Sequence, residues 1–311
     1  MTAHPKKDPV TGVLFAFRYS MLQPLITYFW FDAAGNKSPE VPIFSLKQPS
    51  VMHGFAITEL YALFPETQLV MKPMDMVVHG GSFIGLDQAK VPWIGVLPRY
   101  AKDESEIRWF EVPRFNLMHT TNARDEADGE EIVLVAPNNL SIYHMLGNME
   151  LLHARVDMVR INLSTGVVSC TALSSKSLEF GMVHQGYVGR HNRHGYFGVS
   201  GPMPKLSGIT KLDFHRVGTG DCTVAHRDFG PRCFAGEPFF VHDNINGDGN
   251  EDSGYIVCYM HEEATAKSRF VMMDARSPEL DIVAEVQLPS RVPYGFHGLF
   301  DTQTELLAVL Q

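Results

Sequence analysis

Short runs of aromatic and β-branched residues, separated by Gly, Asn and Asp turn signals, recur along most of this 311-residue chain. Such residues suit a pleated, half-buried surface, and the turn residues between them reverse the chain, so consecutive runs read as antiparallel hairpins. LITYFWFDAAGNKSPEVPIFSL holds two runs around DAAGN, and ARVDMVRINLSTGVVSCTALS holds two around LSTG. GYIVCYMHEEATAKSRFVMMDARSPELDIVAEVQL reads as a three-stranded meander. Repetition without crossover helices restricts the chain to an all-β sandwich, barrel or propeller, and meandering three- and four-stranded units over this length favour propeller blades. One segment breaks the rhythm. Residues 138–154, NNLSIYHMLGNMELLHA, space Leu140, Met145, Leu146, Met149 and Leu152 at helical period and predict one surface helix packed on the sheets. No linker or low-complexity stretch divides residues 1–311, which are expected to form a single domain.

The charge balance narrows the partners. A net charge of −9 and a pI near 5.8 repel a phosphate backbone, which excludes nucleic acid. With 45% hydrophobic residues the chain can bury a large core without a staple. No apolar run reaches the ~18 residues of a membrane span, so membrane contact is expected to be peripheral. Cys170, Cys222, Cys233 and Cys258 show no CxxC spacing and read as buried free thiols.

Fourteen histidines stand out. His4 in TAHPK, His53 in MHGFAITE, His119 in NLMHTTNARDE and His297 in YGFHG share similar settings but are too far apart for a zinc finger or an HExxH helix. A propeller axis is a place where residues distant in sequence converge. His184, His191 and His194 in HQGYVGRHNRH lie beside Arg190 and Arg193 and read as a solvated basic loop. NINGDGNEDSGY imitates a calcium loop through Asn244, Asn246, Asp248 and Gly249, yet its twelfth position is Tyr255 instead of the bidentate Glu required, so it reads as an exposed turn. HGGS, residues 79–82, has no GxSxG elbow to accompany it, which leaves a hydrolase unsupported.

TAHPKKDPVTG, HGFAITE, HTTNARDE, LEFGMV, AGEPFFV and LPSRVPYGFHGLF, in that order, resemble the motif series of the carotenoid cleavage dioxygenases, from residue 1 to about residue 300. FAFRY, VPIFS, DESEIRWFEVP, PMPKLSGITKLD and VMMDARSPEL look nearest to the plastid type-4 enzymes, ahead of the 9-cis-epoxycarotenoid dioxygenases. The resemblance implies a seven-bladed β-propeller, here its later blades, with Fe2+ on the axis held by His4, His53, His119 and His297. It implies that Glu179 orients His119 and Glu237 orients His297, with a third glutamate expected ahead of the first histidine and therefore outside this chain. Tyr294 and Phe296 would wall the site, and Gly295 and Gly298 would leave room around His297. The implied substrates are O2 and a carotenoid or apocarotenoid cleaved at a 9,10 or 9′,10′ bond; the alternatives are 11,12 cleavage of a 9-cis-epoxycarotenoid, or an inactive fragment that at most binds apocarotenoid. A plastid location follows from the resemblance, with peripheral membrane or plastoglobule contact and no transit peptide in this chain. The chain resembles a carboxyl-terminal part of such an enzyme, expected to be weakly active alone. Gly54 and Arg124 depart from the family pattern and are expected to loosen the turn at His53 and to bring charge near the site. Glu59, Asp125 and Glu126 are expected to be structural partners.

Overall fold

The structure, a computed structural model, describes residues 2–244, 247–294 and 297–301. Among these residues the strands build five four-stranded antiparallel units in chain order, with a separate two-stranded sheet, Leu69–Met71 and Ile84–Leu86, inserted within the span of the second. The first comprises Lys6–Lys7, Leu14–Tyr19, Ile26–Phe31 and Val41–Ile43; the second, Ala56–Ile57, Tyr61–Glu66, Trp93–Pro98 and Arg108–Glu111. The third comprises Asn122–Glu126, Glu131–Asn139, Ala154–Asn162 and Val168–Ala172, and the fourth Leu178–Met182, His194–Ser200, Leu206–Asp213 and Thr223–Asp228. The fifth is Phe239–His242, Gly254–Glu262, Lys267–Asp274 and Ile282–Gln287. A bridging strand, Cys233–Ala235, pairs with both Leu206–Asp213 and Gly254–Glu262 and fuses the last two units into one sheet. All three hairpin and meander readings from the sequence fall on these strands.

The units stack because their central strands carry apolar side chains on both faces. Successive strand residues point to opposite sides, so Ile132 and Leu134 join the core shared with the second unit while Val133 and Val135 join the core shared with the fourth. Phe64 and Leu63 divide in the same way between the first and third units, and Tyr196 and Phe197 between the fifth and third. Each fully buried aromatic or branched side chain contributes about 1.5–3 kcal/mol. Polar clamps fix the stacking further. Arg99 of the second unit lies 2.8 Å from the buried carboxylate of Asp8, and its carbonyl accepts from Tyr28 Oη at 2.9 Å, both from the first unit.

The helix expected over 138–154 does not form. Strand Glu131–Asn139 runs into the segment and strand Ala154–Asn162 leaves it, with only short 3-10 turns at Ile142–Leu146 and Met149–Leu151 between them. Ser141 takes the His153 N–H and Gly147 and Asn148 interrupt any continuous helix. Leu152 is buried beside Phe180, with Met145 and Met149 packed against them, whereas Leu140 and Leu146 are exposed. Among the described residues the α-helix lies elsewhere, at Pro73–His79, with proline in its first turn and Gly80 capping it at φ 64°. It occupies the start of the HGGS segment and exposes Met74, Met76, Val77 and Val78.

HQGYVGRHNRH is not a solvated loop. Asn122 donates to the carbonyls of Tyr187 and Arg190 and to Asn192 Oδ1, and accepts from Gly189 N, so the segment folds onto the third unit. His194 is buried at the head of its strand, and His191 alone of the H-x2-H pair is exposed. Nor are all the thiols buried: Cys222 and Cys258 are, Cys233 is half-buried and Cys170 is exposed. Asn246 of the calcium-like segment lies outside the described residues, and Tyr255 is placed in strand Gly254–Glu262.

Candidate metal centre

The innermost strand of each unit delivers one candidate residue to a common point. His4 lies just ahead of Lys6–Lys7, His53 ahead of Ala56–Ile57 and His119 ahead of Asn122–Glu126, while Glu179 lies within Leu178–Met182 and Glu237 just ahead of Phe239–His242. His297 arrives on the segment that follows Ile282–Gln287. One ring nitrogen from each histidine falls within 4.8 Å of the other three. The Nε2 atoms of His4 and His53 are 2.9 Å apart, and those of His53 and His297 are 3.5 Å apart. A single ion with metal–nitrogen distances of about 2.1 Å brings its ligand atoms this close.

Two rings are aimed by carboxylates. Glu179 Oε2 is 3.0 Å from His119 Nδ1 and also accepts the Phe180 N–H at 3.1 Å. Glu237 Oε2 is 3.2 Å from His297 Nδ1 and accepts the Gly298 N–H at 3.1 Å. A ring that gives its Nδ1 proton to a carboxylate keeps a bare lone pair on Nε2. His119 Nε2 is buried with no hydrogen-bond partner, an atom that a metal ion would satisfy. The other two rings have no such carboxylate among the described residues. Burial, and then the neighbouring His119, His297 and His53 rings, push His4 down to about 2; burial, His119 and His297 push His53 down to about 4. Four imidazoles with ring nitrogens turned inward form a donor set suited to a divalent transition metal.

Phe180 is the wall residue that the sequence left unnamed. Its backbone lies at φ 54°, its side chain is buried, and its ring centroid is 5.1 Å from that of His119 and 5.6 Å from that of His297. A non-glycine residue in the left-handed region is uncommon, and no composition signal marks it beyond its place next to Glu179. Gly181 follows it, where a Cβ would overlap Thr121 Oγ1 and the Phe197 ring. Tyr294 does not wall the cluster: its hydroxyl reaches Glu263 and its ring packs on Phe234 and His261. Gly295 and Phe296 lie outside the described residues, and Gly298 is exposed with nothing close to its Cβ position.

Both departures act differently from expectation. A Cβ at Gly54 would stand 3.0 Å from the Met118 carbonyl and 3.9 Å from His4, so glycine permits a close approach between the His53 and His119 segments instead of loosening one. Arg124 is buried against Glu126 at 2.7 Å, while Ala123 faces the cavity beside the histidines. Glu59 pairs with Arg190, Asp125 accepts the Leu60 N–H, and Glu126 also binds Arg160, all away from the cluster.

The model of the family described as retinal pigment epithelial membrane protein (RPE65) matches residues 1–302. The chain belongs to this family, the carotenoid oxygenases. Over 99% of its length it is 75% identical to a protein named 9-cis-epoxycarotenoid dioxygenase NCED2, chloroplastic, of Oryza sativa subsp. japonica, covering 54% of that protein. Over 98% it is 52% identical to the probable carotenoid cleavage dioxygenase 4, chloroplastic, of Arabidopsis thaliana, covering 52% of that relative. The chain thus spans about half the length of these relatives. Among solved structures, Pseudomonas brassicacearum lignostilbene dioxygenase superposes with a TM-score of 0.83 at 24% identity, covering 95% of this chain and 65% of that one. Cobalt-substituted Synechocystis ACO gives 0.80 at 25% identity over 97% of this chain and 65% of that one. The five stacked units are therefore blades of the seven-bladed propeller fold of the carotenoid oxygenases.

Proposed function

We propose that this chain carries the metal-binding core of an iron(II)-dependent dioxygenase that splits one conjugated double bond of a carotenoid or apocarotenoid into two carbonyl products. The observation that carries this reading is the convergence of His4, His53, His119 and His297, two of them braced by Glu179 and Glu237, in a chain of this family. Iron bound there would supply the activation of dioxygen. The four imidazoles would hold the ion without adding negative charge, and the two carboxylates, each on an Nδ1, would leave Nε2 of His119 and His297 for it. Phe180, Ala56, Ile57, Ala123 and Val188 give the adjoining cavity an apolar part against which a polyene would align, beside polar groups from Lys6, Asn122 and Gln185. No side chain is needed as a nucleophile.

The motif resemblance favours the 9,10 or 9′,10′ bond. The 75% identity to the rice protein named for epoxycarotenoids supports the second reading, 11,12 cleavage of a 9-cis-epoxycarotenoid. A plastid location accords with the relatives named chloroplastic. The exposed apolar residues of Pro73–His79 fit a lipid surface, from which an apolar substrate would enter; no helix among the described residues is long and apolar enough to cross a membrane. Iron-loaded protein incubated aerobically with a carotene, an apocarotenal and a 9-cis-epoxycarotenoid, with products separated by length, decides between the readings. Absence of any cleavage while one iron is bound would reject the catalytic reading for this chain.

A further inference from the structure

We propose that Lys6 is a specificity-determining residue: its ammonium binds an oxygen carried by the ring end of the polyene, so that the cavity selects ring-hydroxylated apocarotenoids over those with a hydrocarbon ring. The proposal deepens the reading of this cavity as the place where the polyene lies, and it rests on that reading. Lys6 opens the innermost strand of the first unit, two residues past His4, where the ladder pairs it with Phe15. It lines the cavity together with His4, His119 and His297.

The Lys6 side chain is half-buried and makes no hydrogen bond or ion pair among the described residues. Glu237 attracts it through space, but Glu237 Oε2 is taken by His297 Nδ1 and Gly298 N. The other donors of the lining are spent. Asn122 Nδ2 donates to the Tyr187 and Arg190 carbonyls, Gln185 Nε2 to the Val183 carbonyl and Thr120 Oγ1 to the Phe55 carbonyl. Thr121 Oγ1 has no partner but is closed to solvent, and Lys7 is exposed and keeps its charge in water. Lys6 is thus the cation that faces the cavity without a partner. Held beside Ala56, Ile57 and Val188, its ammonium is under-solvated and gains when an acceptor arrives. The flexible stem and three donors of lysine let it follow an oxygen whose position varies from one ligand to the next. A ligand with a hydrocarbon ring leaves the ammonium unpaired, and a site of this kind rejects the analogue that lacks the oxygen.

The test is equilibrium binding of a β-ring apocarotenal and its ring-hydroxylated counterpart to metal-free protein, followed by the absorption of the bound polyene, on wild type, Lys6→Met and Lys6→Arg. The two ligands share the aldehyde, so their ratio isolates the ring oxygen. Wild type should prefer the hydroxylated ligand about tenfold, the scale of one hydrogen bond from a charged donor. Lys6→Met should lose that preference by weakening the hydroxylated ligand alone, and Lys6→Arg, which keeps a charged donor, should retain it. Equal binding of both ligands by wild type, or the same preference in wild type and Lys6→Met, would overturn the proposal. So would an equal loss for both ligands in Lys6→Met accompanied by weaker cobalt(II) binding, which would assign Lys6 to the support of Glu237 and the metal. Cleavage by the iron-loaded protein is scored separately. A wild type that shows the preference and cleaves neither ligand contradicts the dioxygenase reading and leaves this one standing; one that cleaves both and binds them equally contradicts this one alone.

Discussion

The histidine cluster has two halves built by different means. His119 and His297 each place Nδ1 on a carboxylate that also accepts a neighbouring backbone N–H. His4 and His53 have no carboxylate on their rings among the described residues; their Nε2 atoms face each other, and burial with neighbouring imidazoles depresses their proton affinity. One half is aimed by acceptors, the other kept neutral by desolvation and crowding. The contrast teaches that a donor set of identical residues can be prepared by unlike second neighbours, and that removing a ligand should have unlike consequences on the two sides.

Alanine at a ligand gives the largest effect. His119→Ala and His4→Ala should each weaken cobalt or iron binding at least ~100-fold by equilibrium dialysis. Only His119→Ala takes its ring partner from the buried Glu179 carboxylate, leaving it the Phe180 N–H, and denaturant unfolding of the metal-free protein should show it less stable by about 1–3 kcal/mol, with His4→Ala close to wild type. Equal stability losses would break the comparison. Glu179→Gln should come next, lowering metal affinity about 10–100-fold, and Glu237→Gln about 10-fold because its site is more open, with side-chain exposures of 13% against 4%.

Acidification should produce a smaller change that reports on the other half. In the folded metal-free protein His4 and His53 resist protonation down to about 2 and about 4, whereas in the unfolded chain they take up protons near 6.5. The unfolded state then binds more protons, so stability is full above about pH 6.5 and declines as pH falls below it. The slope should flatten in a His4→Ala, His53→Ala double variant when melting is followed across pH 4 to 7. Thr121→Val should give the smallest effect, since the buried hydroxyl has no partner: a gain of about 0.5–1 kcal/mol in unfolding free energy, with metal affinity unchanged.

Much of the sheet architecture was legible because central strands such as Glu131–Asn139 combine β-branched residues with turn signals at both ends. The innermost strands were not, since Lys6–Lys7 and Ala56–Ile57 are two residues long and carry no periodicity. Methionines and leucines at helical spacing misled over 138–154, where chain reversals at Ser141 and Gly147 and packing onto Phe180 prevail over local propensity. The candidate ligands became legible only through the resemblance, because residues as distant as His4 and His297 share no local signal. The placements of Phe180 and Tyr294 depend on one left-handed backbone angle and on a hydrogen bond to Glu263, which no single segment encodes.

X-ray absorption at the iron edge of anaerobically loaded protein tests the central claim most directly. Four imidazole scatterers about 2.1 Å from a single iron per chain are the predicted result. A shell with fewer than four imidazoles, or one unchanged in His4→Ala, would contradict the account.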